Sequence, residues 1–139
     1  MNQRSTPPQG TTMFDTDSAL RAIDIYLEAW NEPDSDERAR LLAKVMADDG
    51  GYSDPSKQVG DRAGIVEYIG EVLSAYPGAR IVRTSDVDMH HQFGRFTWRL
   101  VRSDGTSLQD SVDFVEFTED GRIHRMTGFF GLQKPDDAP

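Results

Sequence analysis

An α+β fold is what this sequence predicts, helices first and an antiparallel meander second. Three observations carry the prediction. Apolar residues recur at helical spacing only in the first half, the period changes to two after about residue 79, and the second half holds two Asp-Gly turn signals, Ser103-Asp104-Gly105 and Glu119-Asp120-Gly121. With 139 residues, 37% of them hydrophobic, the chain is long enough for one domain with one core and too short for two.

The elements follow in order. Polar tails are expected at 1–12 and 133–139, where Pro, Gln and Asp leave nothing to bury, and a single domain at 13–132. Asp17 or Ser18 can cap a first helix with Leu20, Ile23, Leu27 and Trp30 as its stripe and Tyr26 beside them, until Pro33 ends it. Asp34 or Ser35 opens a second helix carrying Leu41, Leu42, Val45 and Met46, which Asp48-Asp49-Gly50-Gly51 is expected to stop. Tyr52-Ser53-Asp54-Pro55 reads as an extended piece entering a turn, because the residue before proline is pushed out of the helical region. A third helix starts near Asp61 and carries Ile65, Tyr68, Ile69, Val72, Leu73 and Tyr76 to the break at Pro77-Gly78. Four β-rich segments complete the chain: Ala79 to Asp88, His91 to Arg102, Ser107 to Thr118 and Arg122 to Phe130.

Both faces of these strands carry bulky apolar groups. Phe96, Trp98 and Leu100 alternate with Arg95, Thr97 and Arg99, but Val112 and Phe114 oppose Val115 and Phe117. One face takes the helices; the other needs cover, which predicts a homodimer joined through the sheet, with Ile123 and Phe129 in the contact.

Charge excludes some partners. Lys and Arg number 15 against 24 Asp and Glu, a net charge of -9, and such a surface repels phosphate backbones and anionic lipid headgroups. No nucleic acid and no membrane are expected as partners. The chain has no cysteine, and no apolar run long enough to span a bilayer or form the core of a signal peptide, so a cytoplasmic protein is expected.

Asp113 is the most informative residue. In Ser111-Val112-Asp113-Phe114-Val115-Glu116-Phe117 the strand period puts its carboxyl on the face of Val115 and Phe117. A carboxylate buried there has to be paired, hydrogen-bonded or kept protonated. A structural partner such as His124 or an arginine would be the bland solution. Taken alone, Asp54 before Pro55 is a good turn residue, and Tyr26 on its helix stripe is a good core tyrosine. His90, His91 and His124 have no ligand spacing, so no metal site is expected; one of the adjacent pair, or His124 beside Met126, could face a pocket.

The order helix, helix, Tyr-x-Asp-Pro, helix, then a bent antiparallel sheet ending in Asp120-Gly121-Arg122-Ile123 and Gly128-Phe129-Phe130-Gly131, resembles the nuclear transport factor 2-like superfamily over about residues 17 to 132. That superfamily is a cone-shaped α+β fold with three N-terminal helices packed on a strongly curved antiparallel sheet, and it includes SnoaL-like polyketide cyclases and Δ5-3-ketosteroid isomerases. The resemblance implies catalytic roles at three positions: an oxyanion-hole tyrosine at Tyr26, a general base at Asp54, and a protonated aspartate donating to the oxyanion at Asp113. It implies apolar substrate-binding positions at Phe96, Trp98, Leu100, Met126 and Phe130, and an enzyme without metal or organic cofactor acting on a small apolar ligand. Trp98 stands where that family has a much smaller side chain, which argues against a bulky fused-ring steroid. Ser111 and Gly128 lack the acidic pattern of the epoxide-hydrolase branch. The same fold also serves as a non-catalytic binding or adaptor module, and that alternative stays open.

Overall fold

The structure is a computed structural model and describes residues 15–131, so both expected tails lie outside the described residues. Its elements are α1 (Thr16–Trp30), α2 (Ser35–Val45), β1 (Met46–Asp54), β2 (Lys57–Val59), α3 (Arg62–Ala75), β3 (Arg80–Arg83), β4 (Asp88–His90), β5 (Phe93–Val101), β6 (Ser111–Phe117) and β7 (Ile123–Phe129). The fold is α+β as expected, and among the described residues no helix is long and apolar enough to cross a membrane.

The helix starts are side-chain caps. Asp15, ahead of the expected Asp17 and Ser18, caps α1 by accepting the Ser18 N–H at 2.9 Å. Asp34 does the same for α2 and Asp61 for α3, each carboxylate answering an N–H the helix leaves unpaired. The end of α2 departs from expectation. The chain passes directly from Val45 into β1, and Asp48-Asp49-Gly50-Gly51 lies inside that strand. An irregularity between Met46 and Gly51 makes this possible: a Cβ at Gly50 would sit 2.9 Å from the Ala47 carbonyl oxygen, so the crowded kink needs glycine there. The guanidinium groups of Arg62 and Arg122 both donate to the Met46 carbonyl, at 2.7 and 2.6 Å, just beyond the end of α2.

The sheet runs β2-β1-β7-β6-β5-β3, with β4 also paired to β5. The β3, β5, β6 and β7 pairings form the antiparallel part, but β1 lies parallel to β7, which makes the sheet mixed. The helices cover one face, and Tyr26, Leu42, Ile65, Ile69, Phe96, Phe117 and Met126 are fully buried between the layers. Asn31 joins the layers: its side chain accepts the Ile81 N–H at 2.7 Å and donates to the Ile81 carbonyl at 2.9 Å. Asn31→Ala leaves both backbone groups of a buried strand residue unpaired and is expected to lower stability by about 1–3 kcal/mol, measured by urea unfolding.

One bulge redistributes the last strand. Glu116 pairs with Arg125 but Phe117 with Ile123, so His124 is the extra residue. Ile123 therefore turns inward and is fully buried, which corrects its expected place on the outer face. Phe93, Phe114 and Phe129 are exposed on that face, and the Phe114 and Phe129 rings meet edge to face at 5.9 Å.

Candidate active site

Asp54 ends β1, and Pro55 turns the chain behind it. The turn aims the Ser56 N–H at Asp54 Oδ1, 2.7 Å away. Tyr52 lies two residues earlier on the same strand face, and its hydroxyl donates to Asp54 Oδ2 at 2.6 Å. Tyr68, from α3, donates to the same oxygen at 2.9 Å. Both phenols are pushed above their ordinary value of 10, first by burial, so they remain neutral donors to the Asp54 carboxylate. Their rings pack on Trp30 at centroid distances of 5.8 and 5.9 Å and on each other at 5.6 Å, which fixes the hydroxyl positions.

Asp113 is buried in the middle of β6, opposite Phe96 on one side and Gly128 on the other. Its Oδ1 accepts the Trp98 indole N–H at 2.9 Å, and no ion pair reaches it among the described residues. Burial pushes its carboxyl up to about 7; the Trp98 bond works the other way and the charge of Asp54 adds to the rise. Gly128 makes room for it. A Cβ there would lie 2.7 Å from Asp113 Oδ1 and 3.6 Å from Asp54 Cβ, so the two aspartates flank one glycine. His124, the histidine that could have paired with Asp113, is elsewhere: the bulge sends it toward Asp49, at 3.8 Å.

Tyr26 is fully buried on α1, and its hydroxyl has no hydrogen-bond partner among the described residues. Burial holds its pKa well above 10, the Asp113 carboxylate adds to this, and the nearby Trp30 side chain opposes it.

The three residues do not all line one space. A cavity of about 490 Å³ is lined by Asp54, Trp98, Leu100 and Phe130, with Trp30, Tyr52, Tyr68 and Ile81. Tyr26 and Asp113 line an adjoining chamber of about 20 Å³, and Trp30, Tyr52, Ile81 and Trp98 border both. Phe96 and Met126, expected as pocket walls, line neither: both are packed in the core between sheet and helices. His90 and His91 are exposed at the β4–β5 turn, with Nδ1 atoms 3.1 Å apart, and neither borders the cavity. The described residues hold no cluster of three or more acidic or histidine side chains that could bind a metal ion.

Tyr52 and Tyr68 are the residues that sequence reasoning missed. Strand alternation from Asp54 could have found Tyr52, whereas Tyr68 looks like any other apolar-stripe residue of α3.

The arrangement offers two carboxyl groups in unlike surroundings, one held by three donors and one nearly dry. Such a pair can divide the roles of base and acid. Comparison with known proteins agrees with the fold. The family model described as SnoaL-like domain matches residues 23–126. A SnoaL-like family protein from Agrobacterium tumefaciens, provisionally assigned as an isomerase, is 34% identical, with 81% of this chain and 97% of that chain covered and a TM-score of 0.76. A SnoaL-like protein from Jannaschia, provisionally assigned as a polyketide cyclase, is 12% identical over 90% of each chain, TM-score 0.66. A de novo designed protein with a curved β-sheet reaches 0.65 at 10% identity, covering 89% of this chain and 91% of its own, so these last two likenesses concern the fold alone. No curated protein matches.

Proposed function

The chain belongs to the SnoaL-like domain family, and on that premise we propose that its cavity carries out cofactor-free acid–base proton transfer on a small apolar carbonyl compound. The observation that carries the reading is the contrast between the two aspartates. Asp54 accepts hydrogen bonds from two phenols and a backbone N–H and faces the cavity, while Asp113 is buried with no cation beside it among the described residues and its carboxyl is pushed up to about 7.

Asp54 acts as general base. Oδ2 already accepts two phenols and Oδ1 only one N–H, so the open lone pair on Oδ1 takes the proton from carbon α or γ to the carbonyl. The electron pair of the broken C–H bond moves into the enolate, whose oxygen accepts hydrogen bonds from Tyr26 and protonated Asp113. Returning the proton elsewhere gives an isomerisation; attack of the enolate carbon on a second carbonyl gives an aldol cyclisation. The test is deuterium incorporation from D2O, followed by NMR, across a panel of apolar cyclic enones. Exchange faster than in buffer supports the reading. Binding without exchange replaces it with a non-catalytic ligand-binding or adaptor module, which the three donors already engaging Asp54 would suit.

A homodimer through the outer sheet face belongs to the same proposal, supported by the exposed Phe93, Phe114 and Phe129. Sedimentation at micromolar concentration is expected to give a dimer, and Phe114→Glu a monomer. A cytoplasmic site of action is part of the reading too, in keeping with a net charge of -9 that disfavours anionic membrane surfaces.

A further inference from the structure

Trp98 borders both spaces of the pocket, and Tyr26 and Asp113 border only the inner one. Its indole is latched, since Nε1 donates to Asp113 Oδ1 at 2.9 Å. The outer cavity, about 490 Å³, falls in the range that holds a small organic molecule. The inner chamber, about 20 Å³, has room for one water-sized group. What enters it meets the unpaired Tyr26 hydroxyl, so an oxygen atom fits its chemistry better than a methyl group. Charge narrows this further: among the described residues no Lys, Arg or His lines either space, while Asp54 and Glu71 line the outer one and Asp113 the inner. A ligand carboxylate or phosphate would find repulsion and no counter-charge.

We propose that Trp98 is the specificity-determining residue of this pocket: its latched indole limits how deep a ligand can go, selecting compact uncharged molecules that extend one carbonyl or hydroxyl oxygen toward Tyr26 and Asp113. This rests on the pocket being the ligand site, but not on turnover. Shortening Trp98 widens the way from cavity to chamber, so the ligand gains depth where it previously met the indole.

The test is calorimetric binding of a one-ring, a two-ring and a four-ring cyclic enone, and a carboxylate analogue of the two-ring compound, to the wild type, Trp98→Phe and Trp98→Ala. The wild type is expected to bind the two-ring enone at least tenfold more tightly than either the four-ring enone or the carboxylate. Trp98→Ala should reverse the size preference, with Trp98→Phe between the two; a merely structural role would weaken all the enones alike. Circular dichroism establishes that each variant is folded, and if Trp98→Ala is not, the intermediate shift in Trp98→Phe decides. An unchanged size order in the folded variants overturns the proposal, and so does failure of every enone to bind. A reversed order without proton exchange would sink the catalytic reading and leave this one standing, whereas exchange with an unchanged order would do the opposite.

Discussion

Asp54→Asn is expected to lose nearly all proton exchange while ligands still bind, and Asp113→Ala to lose about a hundred- to a thousand-fold. The asymmetry comes from the roles. The amide keeps an oxygen for the Ser56 N–H and preserves the turn, but it offers no basic lone pair, and without a base the C–H bond does not break. Removing Asp113 takes away one donor to the developing enolate oxygen, and loss of one such donor typically costs about 10²–10³ in rate. Tyr26 remains as the second donor. The rates are read by NMR deuterium incorporation, with calorimetry showing that the enone still binds. Equal exchange in the wild type and Asp54→Asn would remove Asp54 from the chemistry.

The second large effect is on stability. Asp113 has an ordinary value of 3.8 and is raised to about 7 by burial. Between those values the folded protein holds a proton that the unfolded chain has released, so stability falls as the pH rises. The contribution of Asp113 is fully present below about pH 4 and is lost by about pH 7, above which the folded protein also ionises. The gap corresponds to about 4 kcal/mol. Asp113→Asn keeps an acceptor for the Trp98 indole and has no proton to lose. Its stability relative to the wild type is therefore expected to increase by about 3 kcal/mol from pH 4 to pH 7, measured by urea unfolding at each pH. A difference that stays constant with pH would mean that Asp113 ionises as freely in the folded protein as in water. Taking the difference cancels the other carboxylates, whose own pH dependence is common to both proteins.

Local pattern was enough for much of the fold. The caps at Asp34 and Asp61 lie next to the helices they start, and the Asp-Gly turns end in Gly105 and Gly121 at φ of 90° and 88°, conformations that glycine reaches without strain. Period-two alternation within β6 was sufficient to bury Asp113 with Val115 and Phe117, because a strand's facing is decided by its immediate neighbours. The sequence by itself thus determined the helices, the hairpins and the inward carboxyl. Tertiary structure alone decided the rest. The parallel pairing of β1 with β7 joins segments more than seventy residues apart, and the bulge at His124 reverses the alternation that local pattern assumes, burying Ile123 and turning the histidine to Asp49. The Tyr68 hydroxyl reaches Asp54 only because α3 docks over the end of β1, and Trp98 borders both the larger cavity and the chamber of Asp113 only because β5 and β6 pair in the register that brings its indole to that carboxyl. Each of these depends on which distant surfaces meet, and periodicity along one segment carries no information about its partner.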